Sequence, residues 1–211
     1  LAWQGGMEGG LAAADLLVGD VCPSGHLTDT FASSFAAYPS SANFAESRMY
    51  VEYQEDVFVG YRYFETIPGA ADEVCYPFGY GLSYTTFAYS QPQCPPQITT
   101  GETVEVSTIV KNTGKRDGDE VVQLYVVHSQ DGVRQIPLCA LKGFRRIHLK
   151  AGEEQQVTFR LTPEDLALTQ TDGNLTEEAG NIEIHIGGGQ PRYTDGKFIT
   201  LNITGEPYQV F

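Results

Sequence analysis

Hydrophobic residues change their spacing part-way along this chain. Beyond residue 100 they mostly alternate with polar ones. Val104 to Val110 (VEVSTIV), Gln156 to Leu161 (QVTFRL), Ile182 to Ile186 (IEIHI) and Lys197 to Ile203 (KFITLNI) show the period of two that a strand with one buried face requires. Val121 to Val127 (VVQLYVV) is apolar almost throughout and also reads as a strand. Asn112-Thr113-Gly114, Ala151-Gly152-Glu153 and Asp172-Gly173-Asn174 supply turns. Short β-rich runs separated by turns, with no strong helix among them, predict an antiparallel sandwich of about seven strands.

The earlier part carries a different signal. Glu8 to Val18 (EGGLAAADLLV) places Leu11, Ala14, Leu17 and Val18 on one face of a short helix, with Gly19 as its stop. After the turn residues Pro23-Ser24-Gly25, Leu27 to Phe31 is a candidate strand, followed by an irregular Ala- and Ser-rich stretch through Asn43. Val57 to Phe64 (VFVGYRYF) is too aromatic for a surface loop and is expected to pack. One helix, one or two short strands and long connections cannot cover both faces of a parallel sheet, so this part reads as the tail of a larger α/β domain. The proline-rich Gln91-Pro92-Gln93-Cys94-Pro95-Pro96 marks the boundary, giving units at 1–90 and 91–211.

Composition narrows the functional classes. Thirteen Lys and Arg against 27 Asp and Glu leave a net charge of -14, which repels nucleic acid and anionic membrane surfaces. The deficit of cations is concentrated early: residues 1–90 contain no Lys, only Arg48 and Arg62. No apolar run approaches the roughly 18 residues of a membrane span, and Leu1-Ala2-Trp3-Gln4-Gly5-Gly6 lacks the basic start of a signal peptide. The opening in mid-pattern reads as though an upstream strand had been cut, so a fragment is expected. Cys22, Cys75, Cys94 and Cys139 are too scattered for a zinc site; free thiols in a reducing, cytoplasmic compartment are expected, with a secreted setting as the alternative, and with no metal and no cofactor.

Individual residues offer chemistry without completing it. Glu8, at a helix start between glycines, is expected to serve the free amides of the first turn rather than act as an acid. Glu52, Glu55 and Asp56 match no calcium loop and read as a solvated acidic face. Gly187-Gly188-Gly189 follows a strand but precedes Gln190-Pro191-Arg192 rather than a helix, so it is a turn and not a phosphate cradle. Ser24, Ser83 and Ser90 lack a nucleophile elbow, and His26, His128, His148 and His185 form no triad, with His128 and His185 on presumed strands. Asn174-Leu175-Thr176 and Asn202-Ile203-Thr204 match the glycosylation sequon, a pattern frequent by chance. Tyr61, Tyr63, Phe64, Tyr76, Phe78, Tyr80, Tyr84 and Phe87 have rings of the kind that stack on sugars, but packing against core or neighbouring domain is the favoured role. No catalytic residue is assigned within the chain, and substrate-binding residues stay undetermined.

Four motifs, in order, resemble the C-terminal region of glycoside hydrolase family 3. They are Trp3-Gln4-Gly5-Gly6-Met7-Glu8-Gly9-Gly10 with Ala12 to Asp15, Gly19-Asp20-Val21-Cys22-Pro23-Ser24-Gly25-His26-Leu27, Val59-Gly60-Tyr61-Arg62-Tyr63-Phe64, and Pro77-Phe78-Gly79-Tyr80-Gly81-Leu82-Ser83-Tyr84-Thr85. Val110 to Gly114, Gly118 to Val126, Leu141 to Phe144 and Leu149 to Glu153 resemble that family's fibronectin type III-like module. Cys22 stands where the family usually has Asn, leaving the Pro-Ser-Gly turn intact. The resemblance implies an α+β fold overall, a partial α/β sandwich domain followed by an all-β fibronectin type III or immunoglobulin-like sandwich.

The family resemblance further implies a retaining β-glucosidase-type parent, with an Asp nucleophile on a barrel domain and a Glu acid/base on the α/β domain, their carboxyl groups roughly 5 to 5.5 Å apart. That Glu lies upstream of the motif opening this chain, so Glu8 does not inherit its role, and the chain alone is expected not to hydrolyse glycosides. The implied partners are the barrel, the remainder of the α/β domain and, in the parent, a β-glucoside or oligosaccharide. The apolar surface of an incomplete α/β domain also invites self-association into a homo-oligomer. Asp29-Thr30-Phe31 and Tyr38-Pro39-Ser40-Ser41 look like a permuted subgroup, in which the polypeptide continues beyond Phe211 into the barrel. The rival reading is a carbohydrate-binding or protein-interaction β-sandwich module.

Overall fold

The computed structural model describes residues 4–128 and 136–210. Residues 1–3, with the Trp3 that opens the first motif, lie outside the described residues, as does Phe211. Helix α1 (Gly9–Val18) ends where Gly19 adopts φ 84° and its N–H turns back to the carbonyl oxygens of Asp15 and Leu16, a conformation open to residues without a Cβ. The apolar face expected on α1 is not buried: Leu11, Leu17 and Val18 are 66%, 84% and 70% exposed, and no residue of the helix is buried. Position in an amphipathic pattern reports which face wants cover, not whether cover is present.

The expected strand at Leu27 to Phe31 is realised only as β1 (Phe31–Ala32), paired antiparallel with β2 (Val74–Tyr76). Leu27 instead clasps a later loop, its N–H reaching Tyr80 O at 2.8 Å and its carbonyl accepting from Gly79 N–H at 2.7 Å. The aromatic run Val57 to Phe64 leads into helix α2 (Tyr61–Thr66), which buries Phe64 and Glu65.

The sandwich begins before the proline-rich segment, with β3 (Phe87–Tyr89). There follow β4 (Gln97–Thr99), β5 (Val104–Asn112), β6 (Gly118–Val127), β7 (Cys139–Leu149) and β8 (Glu154–Leu161). Helix α3 (Pro163–Leu166) starts on a reciprocal capping box between Thr162 and Asp165. The chain closes with β9 (Leu168–Thr169), β10 (Leu175–Glu177), β11 (Gly180–Gly187), β12 (Lys197–Thr204) and β13 (Tyr208–Gln209). Among the described residues one sheet has the order β4-β12-β11-β6-β7 and the facing sheet β3-β5-β8, while β13-β10-β9 forms a small third sheet. Every pairing is antiparallel except that of β4 with β12, which is parallel.

Alternation on β5 buries Val104, Val106 and Val110 against Val157, Phe159 and Leu161 of β8 and Val122, Leu124 and Val126 of β6. Strand β6 is unusual in burying its other face as well: Gln123 is 3% exposed and Tyr125 fully buried. Cover on both sides is why VVQLYVV carries no alternation. Strand β7 is hard to see in the sequence because its run is cationic and irregular; Leu124 pairs with Gly143 and Tyr125 with Leu141, so Lys142 is an extra bulged residue.

Asn112, at the end of β5, is fully buried and ties the sandwich together. Its Oδ1 accepts from Thr85 Oγ1 at 2.6 Å and Gly114 N–H at 3.0 Å, and its Nδ2 donates to the carbonyl oxygens of Arg116 at 2.8 Å and Leu149 at 3.0 Å. All of its four hydrogen-bonding capacities are used. Replacing Asn112 by Ala is therefore expected to lower stability by about 3 kcal/mol, because buried partners are left unpaired. Denaturant unfolding checks this; a loss below about 1 kcal/mol would contradict it.

Candidate functional site

The chemistry of this chain is concentrated where the first unit covers the outer face of β6. Gly60 opens α2 at φ 58°, and the helix then presents Tyr61 to that face. Tyr61 stacks on Phe78 at 5.1 Å between ring centroids and meets Tyr125 edge-on at 6.0 Å. Its hydroxyl accepts from Leu141 N–H at 2.9 Å, and Thr66 Oγ1 accepts from Leu138 N–H at 2.8 Å. Phe64 is enclosed by Tyr38 and Tyr63, each edge-on to it. Packing, the favoured role for these aromatics, is what the structure shows for Tyr61, Tyr63, Phe64 and Phe78.

One turn further along α2, Glu65 lies 5% exposed in the same seam. Its Oε1 accepts from Gln190 Nε2 at 2.7 Å, and Arg192 Nε stands 3.4 Å from Oε2. Burial pushes the Glu65 carboxyl above its usual range, only partly opposed by the Gln190 hydrogen bond and the Arg192 charge. Burial likewise raises the Cys139 thiol to about 12, with the Glu65 charge adding to it. Cys139 is thus an inert thiol rather than a nucleophile.

Polar tethers flank the seam. Arg146 donates to Ser24 Oγ at 2.9 Å and pairs with Asp119, which also accepts from His148 Nδ1 at 2.6 Å. Burial raises the Asp119 carboxyl, but the hydrogen bonds from His148 and Arg146 outweigh it and hold the group below its ordinary value. Arg116 donates to Gly19 O and sits 5.8 Å over the Tyr84 ring, while Tyr84 OH donates to Leu16 O at 2.8 Å.

Beside the seam lies a cleft of about 690 Å³, bordered by His26, Tyr89, Glu120, Gly188, Arg192 and Lys197 among others. Glu120 is 8% exposed, and its Oε1 accepts from Tyr89 OH at 3.0 Å. Burial raises Glu120, opposed by that hydrogen bond and by the nearby His26; burial also raises Tyr89. Behind the loop at 188–196, His185 is fully buried between Tyr125 and Phe198, with no hydrogen-bond partner for either ring nitrogen. Burial lowers its pKa to about 4. A Cβ on Gly196 would stand 2.1 Å from His185 Nε2, so the loop closes over the ring only with glycine there.

The residues singled out from sequence are not brought together. Glu8 occupies the N-cap position of α1, but its side chain makes no capping hydrogen bond, correcting the expected role; only its carbonyl serves, accepting from Ala12 N–H at 3.0 Å. Glu52 and Asp56 are exposed and Glu55 half-buried, on an irregular stretch of turns. Ser24, Ser83 and Ser90 bond Arg146, Cys22 and Thr108 respectively, not a histidine. Gly187 ends β11 and Gly188 and Gly189 begin the turn. Asn174 is exposed in its turn, whereas Asn202 lies on β12 and bonds Asn181. The residues sequence reasoning missed are Glu65, Glu120, Gln190 and Arg192, whose partners are far apart in the chain. Among the described residues no group of three His, Cys, Asp or Glu is placed to hold a metal ion, and no helix is long and apolar enough to cross a membrane.

Two family models match: the glycosyl hydrolase family 3 C-terminal domain over residues 1–84, and the fibronectin type III-like domain over residues 120–190. β-Glucosidase A of Butyrivibrio fibrisolvens is 45% identical over 196 residues, covering 87% of this chain and 24% of that protein. Thermostable β-glucosidase B of Acetivibrio thermocellus is 42% identical over 188 residues, 88% of this chain and again 24% of the relative. The solved structure of β-glucosidase 3B from Thermotoga neapolitana in complex with glucose superposes with a TM-score of 0.86 at 36% identity, over 99% of this chain and 28% of that one. The β-glucosidase of Kluyveromyces marxianus follows the same fold at a TM-score of 0.83 and 33% identity, over 96% of this chain and 23% of that one. The chain therefore spans about a quarter of the length of the relatives it matches.

Two buried groups of the seam give stability opposite pH slopes. His185 takes up a proton near 6.5 when unfolded but only near 4 when folded, so stability rises between those values, by about 3 kcal/mol for a shift of that size. Glu65 is raised on folding, so its contribution falls as pH climbs from the ordinary carboxylate range through the raised value. Melting temperature followed from pH 4 to 8 is expected to rise less steeply between pH 4 and 6.5 in His185→Leu and to lose less with increasing pH above the ordinary carboxylate range in Glu65→Gln. Unchanged profiles in both variants would contradict this.

Proposed function

The chain belongs to glycoside hydrolase family 3, carrying that family's C-terminal domain followed by a fibronectin type III-like domain, and on that premise we propose that it is the non-catalytic, architectural portion of a retaining exo-β-glycosidase of the β-glucosidase type. The whole enzyme would release terminal non-reducing β-glycosyl residues, using two carboxyl groups supplied outside this chain. Its partners are then the barrel and the remainder of the α/β domain.

The observation carrying this reading is the two-sidedness of the first unit. One side is docked on the sandwich through Tyr61, Phe78 and the Glu65-Gln190-Arg192 cluster. The other leaves α1 without a buried residue, its Leu11, Leu17 and Val18 in water with Met7 beside them. An apolar face of that kind is favoured only when another part of the protein covers it. The buried carboxylates do not supply a glycosidase pair: Glu65 is engaged by the Gln190 amide and paired with Arg192, and Glu120 accepts from Tyr89 OH. The four free cysteines are in keeping with a reducing, cytoplasmic setting.

The purified 211-residue chain, its intact mass recorded on the same sample, is expected to release no aryl alcohol from an aryl β-glucoside. Turnover at that mass would overturn the reading. In the whole enzyme, deleting residues 92–211 alone removes the cover from Tyr61 and Glu65 and should lower both melting temperature and turnover. A truncated enzyme with unchanged melting and turnover would show that the sandwich is dispensable.

A further inference from the structure

We infer that the cleft along the seam is a binding site for a neutral oligosaccharide, an activity beyond the architectural role proposed above and independent of it. The 690 Å³ cleft adjoins a second cavity of about 540 Å³, and His26 and Gly81 line both. The two form one trough running from the first unit onto the sandwich, each within the volume range of small-molecule sites.

The two ends of the trough differ in chemistry. Tyr76, Tyr80 and Leu82 border the smaller cavity, and the two tyrosines, their centroids 5.2 Å apart, are left 48% and 38% exposed. Exposed ring faces of this kind bind the C–H faces of a pyranose. The larger cavity is bordered by two acids, Glu120 and Asp195, and two bases, Arg192 and Lys197. Acids and bases border it in equal number although the chain carries -14. A phosphate or polycarboxylate would meet the acids, and a polycation the bases. A hydroxyl both donates and accepts, so a polyol satisfies all four.

The polar end is also preorganised. Tyr89 fixes Glu120 Oε1, and the loop in front of it carries Gly188, where an added Cβ would stand 2.7 Å from that oxygen. Only glycine there lets the loop lie this close to the carboxylate, so the loop and Glu120 hold each other in place. Arg192 is held in place through Glu65. His26 Nδ1 lies 2.6 Å from Gly79 O, and a carbonyl only accepts, so Nδ1 donates to it and the ring is held in a fixed orientation. Fixed, planar hydrogen-bonding groups next to ring faces lower the ordering cost of binding.

The test is an amide chemical-shift titration of the isotope-labelled 211-residue chain with a β-1,4-linked glucose tetramer, a galacturonate tetramer and inorganic phosphate. Saturable shifts at His26, Tyr80, Gly81, Gly188 and Asp195 are expected with the glucose tetramer alone, with a dissociation constant of about 1 mM or tighter. The double variant Asp195→Ala, Lys197→Ala changes only exposed side chains and should weaken binding about tenfold; Gly188→Ala should do the same with the β5 and β8 resonances unmoved. Absence of saturable shifts, preference for either anion, or unchanged affinity in both variants would overturn the inference. Since no step reads turnover, the result is separable from the hydrolase assay.

Discussion

Strand β6 is buried on both faces, and that single requirement organises the molecule. Its inner side chains, Val122, Leu124 and Val126, meet β5 and β8 as in any two-sheet sandwich. Its outer side chains, Gln123 and Tyr125, can leave water only beneath another element. The first unit supplies that cover with Tyr61, and Tyr125 OH donates to Gln123 Oε1 at 2.6 Å so that both polar groups go under with a partner. The sandwich is thus not a bead on a string; one of its strands is finished by residues from the other unit.

Covering a sheet face with aromatic rings is favourable, but this cover also takes Glu65 and Gln190 out of water. Such groups weigh little in net stability when paired and cost much when a partner is removed, so they specify one docking geometry more than they strengthen it. The opposed titrations of Glu65 and His185 follow from the same burial, one group resisting its negative charge and the other its positive charge.

Legibility in the sequence follows the range of the interactions involved. Strands whose burial alternates, such as β5 and β8, declare themselves because each residue's fate depends on the facing sheet alone. Strand β7 does not, since its bulge at Lys142 breaks the period and Arg145 and Arg146 look toward water. The helix at Gly9–Val18 was legible as a helix and illegible as an exposed one, because spacing says nothing about what lies opposite. Motifs around Tyr61 and Phe78 pointed to a family before any contact was visible. Glu65, Gln190 and Arg192 carried no local signal at all: the hydrogen bond joining the first two spans 125 positions.

That span has a consequence for the making of the protein. While the chain is being synthesised, Tyr61 and Glu65 emerge long before β11 and the loop carrying Gln190. At typical synthesis rates the interval is on the order of ten seconds. Throughout it the first unit lacks the completed sandwich over Tyr61 and Phe78, and those rings are open to any passing apolar surface. The segment from β11 to Gln190 therefore acts as a timer: nascent chains that stall before Gln190 should be the ones that a chaperone holds.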